Sequence, residues 1–227
     1  MKWWQLDPSL LADIRNCINE HYPDLKLKEL DDGVEILGKW SVYGKEHLIR
    51  DYEIKIMFPD DYPKKPPKVM EVGGAIPPTK DHHVNLDGSA CLFASPERWE
   101  KWPLGAPFAN FMLGPVTEFF FSQAYHQLTN SWPFGEWSHG DTGIVEFFAN
   151  RLKIYDLKSL KQCVLDMLKP QIFRQERCPC GSRERTIRCH GTVIKELKSK
   201  LPSDEIVAAL SAVDNLLKNG IHDVTRK

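Results

Sequence analysis

Apolar residues recur along the first part of the chain with two different periods. Leu10, Leu11, Ile14, Cys17 and Ile18 return every three to four residues, which places them on one helical face. Asp7-Pro8 ahead of them supplies a capping carboxylate and a proline at the first helical position. The period then drops to two. Leu25 and Leu27, then Val34, Ile36, Trp40 and Val42, then Tyr52, Ile54, Ile56 and Phe58 alternate with polar neighbours, as half-buried strands do. Asp31-Asp32-Gly33 and Gly44-Lys45-Glu46-His47 separate these runs as turns, and Lys68 to Val72 adds a fourth. The pattern predicts a four-stranded antiparallel meander with one covered face.

Periodicity then stops. Residues 73–106 are crowded with Gly, Pro, His and Asp and predict a long loop, a feature that in a compact domain usually carries function. Beyond it, Phe108, Phe111, Met112, Val116, Phe119 and Phe120 predict a helix kinked at Pro115, and a second helix is expected from about Thr142 through Phe147, Phe148 and Leu152. Two more apolar stripes follow, Leu157, Leu160, Val164, Met167 and Leu168 before Pro170, and Ile206, Leu210, Val213 and Leu217 after Ser203. Cys17 and Cys163 fall on such stripes and read as packing residues. Helix, meander, loop and helices together make an α+β pattern.

Composition divides the chain. Its 227 residues carry a net charge of −1, but residues 1–150 hold 14 basic against 22 acidic side chains and residues 151–227 hold 16 against 9. All seven Trp, ten of eleven Phe and five of six Tyr lie in the first part, so one aromatic core is expected there. The later segment, with only Tyr155 and Phe173, is of a size that needs packing against the first domain or a staple. Neutrality argues against a protein built to coat nucleic acid, although the basic tail leaves an acidic partner, nucleic acid included, open. No apolar run reaches a membrane span and Met1-Lys2-Trp3-Trp4 opens no signal segment, so a cytoplasmic protein is expected.

The loop carries the chemistry. Tyr62-Pro63-Lys64-Lys65-Pro66-Pro67-Lys68-Val69 leads through His83-Val84-Asn85 to Gly88-Ser89-Ala90-Cys91-Leu92, with Trp99 eight residues beyond the cysteine. These residues resemble the Y-P-x-K-P-P-K-V crossover, the H-x-N loop, the G-x-x-C-L segment and the Cys-x7-Trp spacing of ubiquitin-conjugating enzymes. The resemblance covers roughly residues 5–150. It implies a UBC-like fold over residues 1–152 and a thioester on Cys91, received from an activating enzyme carrying ubiquitin or a ubiquitin-like modifier and passed to an amine on a protein target. By the same resemblance Asn85 is the oxyanion donor, the alternative being a hydrogen bond within its own loop. His83 and His82 either order the loop or move a proton, and Asp81 and Asp87 either help deprotonate the acceptor or shape a turn. Val84 replaces the usual proline, and Asn85 stands six residues before Cys91 where eight is usual. Lys64 stands where an aromatic docks RING-type ligases, and no S-P-A segment occurs near Trp102-Pro103-Leu104, which argues against RING-dependent transfer. The aromatic stretch Trp132 to Gly140 looks more like prokaryotic members, whose setting is often an antiviral conjugation operon.

Within residues 153–227, Cys178-Pro179-Cys180 and Cys189-His190 form C-x-C-x8-C-H. Three thiolates and an imidazole suit a closed, structural Zn²⁺ site; three clustered cysteines cannot all pair as disulfides. The knuckle, at about 177–191, resembles a SEC-C motif and is expected to supply the staple, leaving the tail near +6. Arg174, Arg177, Arg183, Arg185 and Arg188 surround it. A non-catalytic UBC-like scaffold with a zinc adaptor is the rival reading.

Overall fold

A computed structural model describes residues 2–45, 47–134, 138–170 and 176–224. The chain forms two compact units, Met1–Phe93 with Lys101–Phe134, and Ala94–Glu100 with Gly135–Lys227. The first opens with a short helix α1 (Trp3–Leu6) and then α2 (Pro8–His21), where the Asp7 carboxylate accepts the Leu10 N–H at 3.2 Å and Pro8 stands at the start. Leu11, Ile14 and Ile18 are its buried face. Strands β1 (Leu25–Glu29), β2 (Val34–Tyr43), β3 (Leu48–Met57) and β4 (Lys68–Glu71) form one antiparallel sheet in sequence order. Register pairs Ile36 with Ile56 and Trp40 with Tyr52, so one face is uniformly apolar. The other carries charge, including Lys55–Glu35 at 2.6 Å and Lys39–Asp51 at 3.5 Å. Gly38 has a reason to be glycine: its φ is +143°, and a Cβ there would lie 2.1 Å from the Asp24 carbonyl oxygen.

The expected kinked helix is three pieces, α3 being taken by an earlier element described below. Phe108–Phe111 (α4) runs into a π-turn over Met112–Val116 and then α5 (Thr117–Thr129). Pro115 supplies no N–H, and the Thr117 hydroxyl satisfies the Met112 carbonyl at 2.8 Å. Phe111, Met112, Val116 and Phe120 fill the space over the sheet with no exposure.

Residues 73–106 are not a loop throughout. A 3-10 turn (Lys80–His82) and helix α3 (Ser95–Lys101) interrupt them. Seven residues make about two turns, too few for a period to register. Most of α3 belongs to the second unit. There the Glu205 carboxylate accepts the Ser95 hydroxyl at 2.8 Å and the Trp99 indole N–H at 3.2 Å, and the Arg98 guanidinium lies 3.9 Å over the Trp99 ring.

Not all the aromatics of residues 1–150 enter the first core. Helix α6 (Asp141–Leu152) buries Val145, Phe147, Phe148 and Leu152 in a core shared with α7 (Leu157–Leu168), α8 (Gly191–Lys200) and α9 (Ser203–Lys218). The second core therefore has its own aromatics. Cys163 is fully buried within it, and Cys17 packs against the first core. Phe173, Arg174 and residues 135–137 of the aromatic stretch lie outside the described residues. Among the described residues no helix is long and apolar enough to cross a membrane.

Phe148→Ala is expected to destabilise the second unit by about 3–5 kcal/mol. Native-state hydrogen exchange checks the assignment: amides of α7 and α9 should lose protection while those of β2 and β3 keep theirs.

Candidate functional site

Cys91 lies on a hairpin appended to β4. The Ala90 N–H donates to the Val69 carbonyl and the Cys91 N–H to the His83 carbonyl, both at 2.7 Å, while Val84 bridges Ala90 and Met70 bridges Ser89. The Asn85 N–H reaches the Ser89 carbonyl at 2.8 Å and the Gly88 N–H closes the turn onto the Asn85 carbonyl at 2.9 Å. Gly88 takes φ +81°, which an L side chain rarely adopts. Leu86 at the tip is 98% exposed. Register places His83 opposite Cys91 and Asn85 opposite Ser89, with Val84 and Ala90 packed against the core.

The structure thus brings Cys91 and His83 together. Cys91 is half-buried, its Sγ 3.9 Å from the Phe93 carbonyl oxygen. Asn85 is engaged elsewhere: its Nδ2 donates to Ser89 Oγ at 3.1 Å, and that hydroxyl donates to Asp87 Oδ1 at 2.6 Å. The other Asp87 oxygen meets Lys68 Nζ at 2.6 Å. Lys68 first, then Ser89, hold the Asp87 carboxyl well below the usual carboxylate range. Asp87 and Asn85 thus hydrogen-bond within the hairpin, and Asp81 sits exposed on the 3-10 turn. His82 is anchored by Thr79, Nδ1 to Oγ1 at 2.9 Å. Trp99 joins the second unit's core.

Three residues not singled out for this site from sequence stand beside it. Gln123 Nε2 donates to the His82 carbonyl at 2.6 Å; the Trp132 ring meets His83 edge-on at 4.8 Å and stacks on His126 at 4.2 Å. The aromatic stretch did contain Trp132, but no local pattern marks a contact across 41 residues.

The second candidate is the cysteine–histidine knuckle. Ligand atoms of Cys178, Cys180, Cys189 and His190 all lie within 4.8 Å of one another. Cys180 Sγ is 3.5 Å from Cys189 Sγ, and His190 Nδ1 is 3.1 Å from Cys178 Sγ and 3.2 Å from Cys189 Sγ. These spacings are near the ~3.5–3.8 Å edges of a tetrahedron built on metal–sulfur and metal–nitrogen bonds of about 2.0–2.3 Å. None of the six cysteines forms a disulfide. Burial pushes the Cys178 thiol up to about 11, whereas the Ser182 hydroxyl and N–H, working against partial burial, hold Cys180 down to about 6. The donor set therefore fits a metal ion. The tight turn rests on Cys178 N–H to the Glu184 carbonyl at 2.8 Å and Thr186 N–H to the Glu176 carbonyl at 2.9 Å. Arg177, Arg183, Arg185 and Arg188 are exposed around it, with no ion pair among the described residues.

No protein-family model matches the chain, and no solved structure matches it. It is 34% identical over 97 residues to the ubiquitin-conjugating enzyme E2 ubc-18 of Caenorhabditis elegans, an alignment covering 40% of this chain. The chain spans 56% of that relative's length. This partial similarity supports a UBC-like relationship, with which the antiparallel sheet and helices are compatible.

Elemental analysis of the purified chain is expected to give about one divalent metal ion per molecule. Cys189→Ser should lower that content well below one, and chelation should strip hydrogen-exchange protection from residues 176–191 before it affects the sheet.

Proposed function

We propose that the chain is a ubiquitin-like-protein conjugating enzyme with Cys91 as its nucleophile. The observation that carries this reading is a half-buried cysteine on a rigid hairpin within a UBC-like unit. The Cys91 thiolate attacks the carbonyl carbon of a modifier's C-terminal thioester on the activating enzyme. A new C–S bond forms, and the carrier's sulfur departs as thiolate. An amine on the target then attacks the Cys91 thioester, loses a proton to solvent or a nearby base, and releases Cys91 as thiolate. The exchange between thioesters is close to neutral in free energy, and amide formation drives the second step. His83, opposite Cys91, contributes its carbonyl as the anchor for the Cys91 N–H.

The knuckle is proposed to hold Zn²⁺ through Cys178, Cys180, Cys189 and His190 as a structural, SEC-C-like element with no open position. Such an ion supplies cross-linking of the turn and no reactive group. The setting proposed is a cytoplasmic bacterial conjugation pathway, of the antiviral type, without a RING ligase.

One observation favours a second reading. Asn85 donates a side-chain N–H to Ser89 within the hairpin, as a scaffold without oxyanion chemistry would, with the basic knuckle then serving a protein or nucleic-acid partner.

With activating enzyme, modifier and ATP, the wild type should form an adduct that added thiol cleaves by exchange at the thioester, and Cys91→Ser should form no such thiol-labile adduct. No thiol-labile adduct with cognate components would favour the scaffold. Asn85→Ala separates the roles of its amide: as a hairpin brace it costs about 1 kcal/mol of stability and leaves single-turnover transfer within about tenfold. An oxyanion donor would cost about 10²–10³ in rate.

A further inference from the structure

Gln123 is an unusual residue for its position. Its side chain is 1% exposed, its Nε2 is committed to the His82 carbonyl at 2.6 Å, and its Oε1 is buried without a hydrogen-bond partner among the described residues. An apolar side chain of the same shape would avoid leaving that oxygen unsatisfied, so packing alone does not account for an amide there. What the amide does is hold one peptide group. The next residue, His83, caps the 3-10 turn with φ 53° and ψ 40°, a left-handed conformation uncommon for a residue with a Cβ. The carbonyl of His83 in turn fixes the N–H of Cys91 at 2.7 Å.

A second set of contacts grips the same two residues by their rings. His126, one turn along α5 from Gln123, meets the His82 ring edge-on at 5.7 Å and stacks flat against Trp132 at 4.2 Å and 17°. Trp132 closes the circuit on the His83 ring at 4.8 Å and 76°. Backbone and side chains of His82 and His83 are thereby both fastened to α5 and the segment after it.

We infer that Gln123 and the His126–Trp132 stack form a positioning clamp that holds the His83 carbonyl, and through it Cys91, in register for thioester exchange. None of the three needs to touch the reacting atoms; they are positioning residues. The inference rests on the proposed role of Cys91, because position matters only where an acyl group must meet the sulfur along one line of approach. For such a step a displacement of about 1 Å costs roughly 100-fold in rate, whereas a small, freely tumbling electrophile finds the thiol from any side.

That difference supplies the test. In the full chain, Gln123→Met, Trp132→Ala and Trp132→Phe are compared with wild type in two assays. One follows acyl transfer onto Cys91 from ubiquitin carrying a small-thiol thioester at its C-terminus, then single-turnover discharge to free lysine. The other follows alkylation of Cys91 by iodoacetamide, read by peptide mass. Trp132→Ala and Gln123→Met should slow transfer about tenfold or more while alkylation stays within about twofold, and Trp132→Phe, which keeps a stacking ring, should restore most of the transfer. Transfer at the wild-type rate in both disruptive variants, parallel changes in the two assays, or no rescue by phenylalanine would overturn the clamp. A wild type that accepts no acyl group from this thioester or from that of its cognate modifier overturns the proposed function, and the clamp with it; that failure is distinct because it appears before any substitution is made.

Discussion

Two backbone hydrogen bonds govern the candidate site. Ala90 N–H to the Val69 carbonyl ties the segment to β4, and Cys91 N–H to the His83 carbonyl folds it back on itself, both at 2.7 Å. Together they turn part of a long, Pro- and Gly-rich connection into a rigid extension of the sheet, so the coordinates of one sulfur are set by strand pairing. The same attachment occupies the outer edge of β4, whose unpaired backbone groups would otherwise invite pairing with another chain. Lys68, Asp87, Ser89 and Asn85 then form a polar chain along the hairpin that fixes its tip.

The meander was legible because alternation is a repeated signal: Ile36 and Ile56, paired across two strands, each sit in a run of several matching positions. Helix α3 was not, because in seven residues Pro96 and Arg98 are its only buried positions and neither belongs to an apolar stripe. Phe147 and Phe148 enter the second core, which composition does not show because it counts aromatics without saying which core they enter. At the sites, the four knuckle ligands were readable because thiols and imidazole at short spacing leave few alternative chemistries. Asn85 is less legible: its type and place in a motif do not reveal that a hydroxyl four residues away accepts one of its amide N–H groups. Gln123 and Trp132 act through contacts that only folding creates.

The second unit draws on two separate sources of order. Its helices bury Phe147, Phe148, Leu160 and Ile194 in a conventional core, and the Glu146 carboxylate, 3% exposed, caps the start of the unit by accepting the Ser138 N–H at 2.9 Å and hydroxyl at 2.8 Å. The knuckle instead relies on turns and on its thiols, with Cys178 buried and Cys180, Cys189 and His190 half-buried. Loss of a metal ion there would loosen residues 176–191 without removing the apolar contacts among α6, α7 and α9. A region first read as needing a staple therefore has a core as well, and the cluster's contribution is local.

The chain leaves its first unit after Phe93, two residues beyond Cys91, spends Ala94–Glu100 in the second, and returns at Lys101. The two units are therefore not beads on a string that recombination could exchange by a single joint. A ribosome releases Trp99 long before Glu205 exists to accept its indole N–H, so during synthesis this segment must wait, tethered next to the Cys91 hairpin, for most of the remaining chain. Any gene fragment cut near residue 134 would keep this helix and its Lys101–Glu118 pair but discard Glu205 and the core that Trp99 packs against.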